Sequence, residues 1–283
     1  MKDTTTPILQ PHGWRKGLRI ALLFLVAGLF IAPTLWMISS SLKADYEIFA
    51  TPPSLLPISP RWQNYAEALT SLPFGRFAIN TLIIAISTIV GHLLSCSIVA
   101  YGFARLNGPG KGFFFVLMLS TLMLPYPVTM VPLFIIFSKI GLINSFVPLI
   151  LPAFFGNAFY IFLLRQSFKQ IPVDLEDAAR LDGAGTLQVL LNVILPLSRP
   201  ALATVAIFTF QAAWNDFLGP LIFLHDQSLY TLQLGLSLFR GAYNVQWAYL
   251  MAASLVVTLP VIAIFFIAQK SFIEGVGFTG TKL

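Results

Sequence analysis

Carboxylates are scarce in this chain, 11 Asp and Glu in 283 residues, and where they stand limits what chemistry is available. Asp216 is the one charge in an otherwise uncharged run over 200–225. An acid inside an apolar span is costly to bury, so it either lines a polar pathway or bonds a partner helix. The competing reading is a locally paired structural carboxylate beside Trp214 and Asn215. A second group, Asp174, Glu176, Asp177 and Asp182, sits in a polar island of 35 residues and eight charges between Arg165 and Arg199. Other chemistries lack their parts. The nearest approach to a phosphate-cradling loop, Gly110-Lys111-Gly112, has Arg105 where the first glycine is needed and no hydroxyl after the lysine. His12, His92 and His225 lack the local spacing of a zinc site, and a single Cys96 allows neither a disulfide nor a thiolate cluster. No Ser/His/Asp set is evident.

The elements that carry these residues follow from composition. With 57% hydrophobic and 10% charged residues, the chain departs from the roughly 25% charge of a soluble domain and reads as an all-α polytopic membrane protein. A bilayer core of about 30 Å needs roughly 20 apolar helical residues. Six runs meet that length: 20–42, 77–104, 112–138, 140–164, 200–225 and 241–269. With both termini inside, 12 of the 17 Lys and Arg fall on the inner side, so the positive-inside bias predicts a cytoplasmic N-terminal tail (1–19) and C-terminal tail (273–283). Leu124-Pro125-Tyr126-Pro127, followed by Pro132, predicts a broken third span that faces the protein interior, with Pro125 and Tyr126 as pathway candidates beside Asn215 and Asp216. Asp216 itself is expected about 24 Å along the fifth helix. No internal repeat is evident.

In the island, Asp174 and Asp177 read as a capping box after Pro172, opening a helix that stops at Gly183-Ala184-Gly185. Thr186 is the expected cap of a second helix, with Leu187, Leu190, Leu191 and Ile194 as its apolar stripe and Pro196 as its end. Such a knob suits a groove on a partner; an amphipathic loop on lipid headgroups is the alternative.

Here the sequence resembles a known family. Asp177-Ala178-Ala179, then Gly183, then Val193 and Leu195-Pro196, resembles the "EAA" loop of permease subunits of binding-protein-dependent ABC importers, with Asp for Glu and Val for Ile. Asn80, the Leu124-Pro125 to Pro132 segment, Trp214-Asn215-Asp216-Phe217 and Phe272-Ile273-Glu274-Gly275 are similar to the smaller six-span permease of maltose-like systems. The resemblance implies a type I importer permease fold, with the first helix (20–42) ahead of a permease core at 77–272 and a coupling loop at 165–199. It also implies a bacterial inner-membrane location, a second homologous permease, a cytoplasmic ATPase dimer that binds ATP and Mg, and an extracytoplasmic solute-binding protein. Neither an activity nor a cofactor is then expected in this chain, and nucleic acid is no partner.

By the same resemblance, Glu176, Asp177, Ala178, Ala179, Asp182 and Gly183 are the expected ATPase contacts. The outer loop residues Tyr230, Gln233, Arg240, Tyr243 and Asn244, together with the Pro-rich segment 43–76, are candidates for docking the binding protein. The function implied is inward passage of a carbohydrate (an oligosaccharide, sugar or polyol) by alternating access. The competing function is a self-sufficient secondary transporter or channel that uses Asp216 as its coupling acid.

Overall fold

The computed structural model describes residues 13–241 and 245–277, with side chains from 16 to 241, from 245 to 267 and at 269. Tyr243, Asn244, the tails 1–12 and 278–283, and the side chains of 270–277 lie outside the described residues. The longer helices are α1 (Gly13–Ser41), α2 (Phe74–Arg105), α3 (Lys111–Ser120), α4 (Tyr126–Lys139), α5 (Ala158–Gln170), α6 (Asp174–Leu181), α7 (Arg199–Asn215) and α8 (Trp247–Gly277). Four segments are each long and apolar enough to cross a bilayer, Lys16–Ser41, Phe74–Arg105, Val147–Gln170 and Trp247–Ile267. Among the described residues the number reaches six if each of two bent pairs, Lys111–Met123 with Tyr126–Lys139 and Thr186–Leu197 with Arg199–Asn215, counts as one span.

The chain forms two compact units. The smaller holds Met1–Ala68 and Phe239–Val256. Its α1 has no buried residue in its apolar window, so its sides are free for lipid or another protein. After α1, Lys43 is fully buried, donates to the Ser54 carbonyl at 2.5 Å and lies 4.5 Å over the Trp36 ring. Asn64 donates to the carbonyls of Ser41 and Lys43, both at 2.9 Å, which fixes the start of the outer segment.

The larger unit holds Leu69–Leu238 and Val257–Leu283, and α2 is its axis, packed against α5, α7 and the 151–155 turn. Lipid removes the usual hydrophobic gain from helix association, so small residues that admit close backbone contact do the packing. Thr81, Ala85, Thr88, Gly91, Ser97 and Ala100 make that face on α2. A side chain at Gly91 would stand 2.9 Å from the Phe154 ring. Asn80 donates to the carbonyls of Ser228 and Tyr230 at 3.0 and 2.9 Å, and Thr81 accepts from the Leu232 amide at 2.9 Å, so α2 also holds the 227–237 segment.

Several expectations need correction. The third span does break, by 98° between Lys111–Met123 and Tyr126–Lys139, with Leu124 and Pro125 in extended backbone. Residues 121–128 are exposed on this chain, Met123 at 83%, and Tyr126 among them also lines a cavity of the larger unit. The fourth span runs past Leu164 to Gln170 because Arg165 does not need to leave the packed region. Its guanidinium lies 4.0 Å over the Phe115 ring and its Nε donates to the Phe103 carbonyl. The fifth helix ends at Asn215, not His225, and resumes as a short helix, Leu218–Phe223.

Candidate functional site

The island folds into the knob its glycines predict, with different caps. Neither Asp174 nor Asp177 caps α6. Val173 is the cap residue, no side chain bonds there, and Asp174 is already in the first turn, where its charge still favours the helix dipole. The end of α6 is a Schellman turn: Gly183 has φ +90°, its N–H donates to the Arg180 carbonyl at 3.0 Å, and the Ala184 N–H donates to the Ala179 carbonyl at 2.9 Å. Thr186 is likewise not the next cap. Gly185 holds that place, and its N–H donates to the side chain of Gln188 at 2.7 Å.

The following helix widens into a π turn over Leu190–Ile194 and ends at Leu197, one residue past Pro196, before an 81° bend into α7. Pro196 has no N–H to offer the carbonyl four residues back, and a π turn accommodates that gap. The expected stripe divides: Leu190 and Ile194, with Val189, are buried in the core around Phe168 and Leu164, whereas Leu187 and Leu191 are exposed.

On α6 one of the two adjacent acids is buried and the other exposed. Glu176 is 2% exposed and pairs with Arg105 at 2.5 Å, so it is turned away from any outside partner. Asp177, Ala178, Leu181, Asp182 and Gly183 are exposed, and Ala179 is half-buried against the core. Leu181 is 90% exposed. A strongly exposed leucine at a sharp glycine turn, rimmed by carboxylates, is an unfilled contact surface.

The second feature is a cavity of about 360 Å³ in the larger unit. Its wall includes Thr88 and His92 of α2, Tyr126 of α4, Pro148, Thr209 of α7 and Asp216. The structure thus joins two of the four pathway candidates, Tyr126 and Asp216. Pro125 is exposed outside the cavity, and Asn215 is exposed, donating to the Gln211 carbonyl and accepting from Gln233 at 3.4 Å. Asp216 is not inside a continuous helix. It stands at the break after α7, where its carboxylate accepts from the Gly219 N–H at 3.1 Å and ties the first turn of the short helix. Gly219 makes that possible, since a side chain there would lie 2.5 Å from Asp216 Oδ2.

His92, which lacks the spacing of a zinc site, and Thr88 and Thr209 also belong to this wall. His92 bonds Thr209 at 3.2 Å and meets the Tyr160 ring edge-on at 5.0 Å on this wall. The signal was present in the spacing: Ile84, Thr88 and His92 recur every four residues, and Thr209, Ala212, Ala213 and Asp216 share a face at helical period.

Of the outer-loop candidates, Tyr230 and Gln233 belong to the larger unit and exposed Arg240 to the smaller. The Tyr230 ring lies 6.3 Å from Phe77 and its hydroxyl donates to the His225 carbonyl at 3.4 Å. Asn144, with φ 61°, latches the adjoining segment: it donates to Asp226 Oδ2 at 2.6 Å and accepts from the His225 and Asp226 amides, both at 3.0 Å.

A helical multi-span core with a knob between its fourth and fifth spans is consistent with an importer permease. The model of the binding-protein-dependent transport system inner membrane component family matches residues 94–276, and the chain belongs to that family. It is 35% identical over 253 residues, covering 88% of this chain and 83% of the relative, to the diacetylchitobiose uptake system permease protein NgcG of Streptomyces coelicolor. To the arabinooligosaccharides transport system permease protein AraQ of Halalkalibacterium halodurans it is 32% identical over 285 residues, spanning all of both chains. In three dimensions it matches a bacterial ABC transporter involved in the import of the acidic polysaccharide alginate, with a TM-score of 0.80 at 25% identity, over 94% of this chain and 99% of that one. The protein is therefore a multi-pass inner-membrane permease subunit of an ABC importer. It is not an enzyme, and the comparisons support this reading rather than an autonomous carrier.

Proposed function

We propose that this permease passes a carbohydrate, an oligosaccharide, sugar or polyol, into the cytoplasm by alternating access, with ATP and Mg bound by a separate ATPase dimer. The knob carries the proposal. Asp177, Ala178, Ala179, Asp182 and Gly183 offer the docking surface, with Leu181 at its tip, while Glu176 holds the knob to the spans instead of meeting the ATPase. A second homologous permease covers the exposed break at 121–128, because freed backbone at membrane depth needs protein or a water-filled cavity beside it. The cavity with Tyr126 and Asp216 is this chain's share of the pathway. An extracytoplasmic binding protein meets the outer side, where Tyr230, Gln233, Arg240, Tyr243 and Asn244 belong, and both termini are cytoplasmic. The sugar relatives support the substrate class.

The test is gentle solubilisation of native membrane, capture through an N-terminal tag and identification of what co-purifies. An ATPase and a second permease are expected, and both the docking reading and the partner reading fall if this chain is recovered alone.

A further inference from the structure

The Glu176 carboxylate is held from several sides. Arg105 Nε lies 2.5 Å from its Oε1, and the Tyr101 hydroxyl donates to its Oε2 at 3.3 Å. Arg105 also donates through Nη2 to the Phe168 carbonyl at 2.8 Å and to the Ile171 carbonyl. Three elements therefore meet at one guanidinium: the last turn of α2, the end of α5 and the first turn of α6. The end of a helix leaves carbonyls without partners, and a cation there satisfies them while favouring the dipole. The forked, planar shape of arginine lets one side chain serve carbonyls and carboxylate together, which a lysine cannot do. Arg180 approaches Glu176 only at 3.9 Å and is half exposed, so it adds little.

Along α2, Arg105 is 17 residues from Thr88, about 26 Å at 1.5 Å per residue, and Thr88 stands on the cavity wall. A rigid helix fixed to the knob at one end and lining the cavity at the other is a lever. We propose that Arg105 and Glu176 are a positioning pair that transmits movement of the knob to α2 and α5, and through α2 to the cavity wall. This rests on the reading that an ATPase docks on the knob.

Cys96 is the only cysteine, so a Cys96→Ala, Thr88→Cys chain carries one thiol, on the cavity wall. The complex captured through the tag is labelled with a small maleimide, with and without Mg-ATP and vanadate, and the ATPase bound per permease is measured in the same sample. In this background nucleotide is expected to change the labelling rate about tenfold, within the usual range of coupling between distant sites. With Glu176→Gln the change is expected to fall within about twofold while the ATPase stays bound. Arg105→Lys, which keeps the charge and loses the fork, gives an intermediate response and serves if the Gln variant fails to insert.

A full nucleotide response in Glu176→Gln or in Arg105→Lys overturns the proposal. So does absence of a response at Thr88 in the background chain, or loss of the ATPase from Glu176→Gln, which would make Glu176 a docking residue. Absence of an ATPase from the unsubstituted complex overturns the docking reading instead, and capture shows this before any labelling.

Discussion

Gly183 separates what the knob does for its own chain from what it does for a partner. With φ +90°, the position costs a side-chain-bearing residue about 1–2 kcal/mol, and less for asparagine, which tolerates the left-handed region. A Cβ there meets nothing within 4 Å, so the first atom of a side chain has open space in this chain alone. If strain is relieved by unwinding the Schellman turn, 1–2 kcal/mol corresponds to roughly 5- to 30-fold weaker retention of the ATPase for Gly183→Ala. Gly183→Trp carries the same backbone strain, so any further loss measures bulk driven into a partner's surface. The assay is the amount of ATPase captured per tagged permease, with the permease content of the membrane fraction as the control for insertion. The expected order of retention is Asn above Ala above Trp, at equal insertion. Retention by Gly183→Trp equal to that of the unsubstituted chain would refute the docking argument.

Other consequences concern the cavity and the latches. Gly219→Ala forces the Asp216 carboxylate aside and breaks its bond to the Gly219 N–H, at about 1–3 kcal/mol, to be read as a lower Tm of the purified chain; an unchanged Tm refutes the steric argument. Asp216→Asn keeps an oxygen that can accept that bond, so it should hold Tm within a degree or two where Asp216→Ala loses about 1 kcal/mol, and equal losses would show the charge, not the bond, to be stabilising. Asn144→Ala removes the latch on His225 and Asp226, and both amides should exchange with deuterium about tenfold faster; unaltered protection would mean that the segment is held from elsewhere. Asn157→Ala deprives the Phe159 and Tyr160 amides of their cap on α5, worth about 0.5–2 kcal/mol, measured as destabilisation in a mild detergent series.

The spans were legible because a bilayer imposes one length and excludes charge, so distance between charges locates helices even without an alignment. The reading failed where a charged side chain has a protein partner. Arg165 marked an end by its type, but the Phe115 ring and Phe103 carbonyl keep it packed while α5 continues. The end of α7 was hidden for the opposite reason. By type alone Asp216 is a charge in a helix, but an aspartate three residues before a close-packed glycine is also a signal to start a new one. At the knob, Gly183 was legible because a left-handed turn has few other solutions. The different fates of Glu176 and Asp177 were not, because neighbours on a helix differ by about 100° and only the position of Arg105 decides which acid is inside.

The features that remain unsatisfied in this chain all ask for company, and they differ in kind. The knob exposes leucines and carboxylates together, a surface for a soluble protein. At the 121–128 break the exposed Leu124 and Pro125 are in extended backbone between apolar side chains, and lipid cannot hydrogen-bond their freed groups as a polar or protein neighbour can. The apolar window of α1 exposes only side chains, which lipid satisfies as well as protein does. The need for a partner is therefore strongest at the break, strong at the knob and weakest at α1. If assembly is driven by these needs, loss of the proposed second permease should expose the break to proteolysis or degradation before it affects α1, and loss of the ATPase should leave both spans in place.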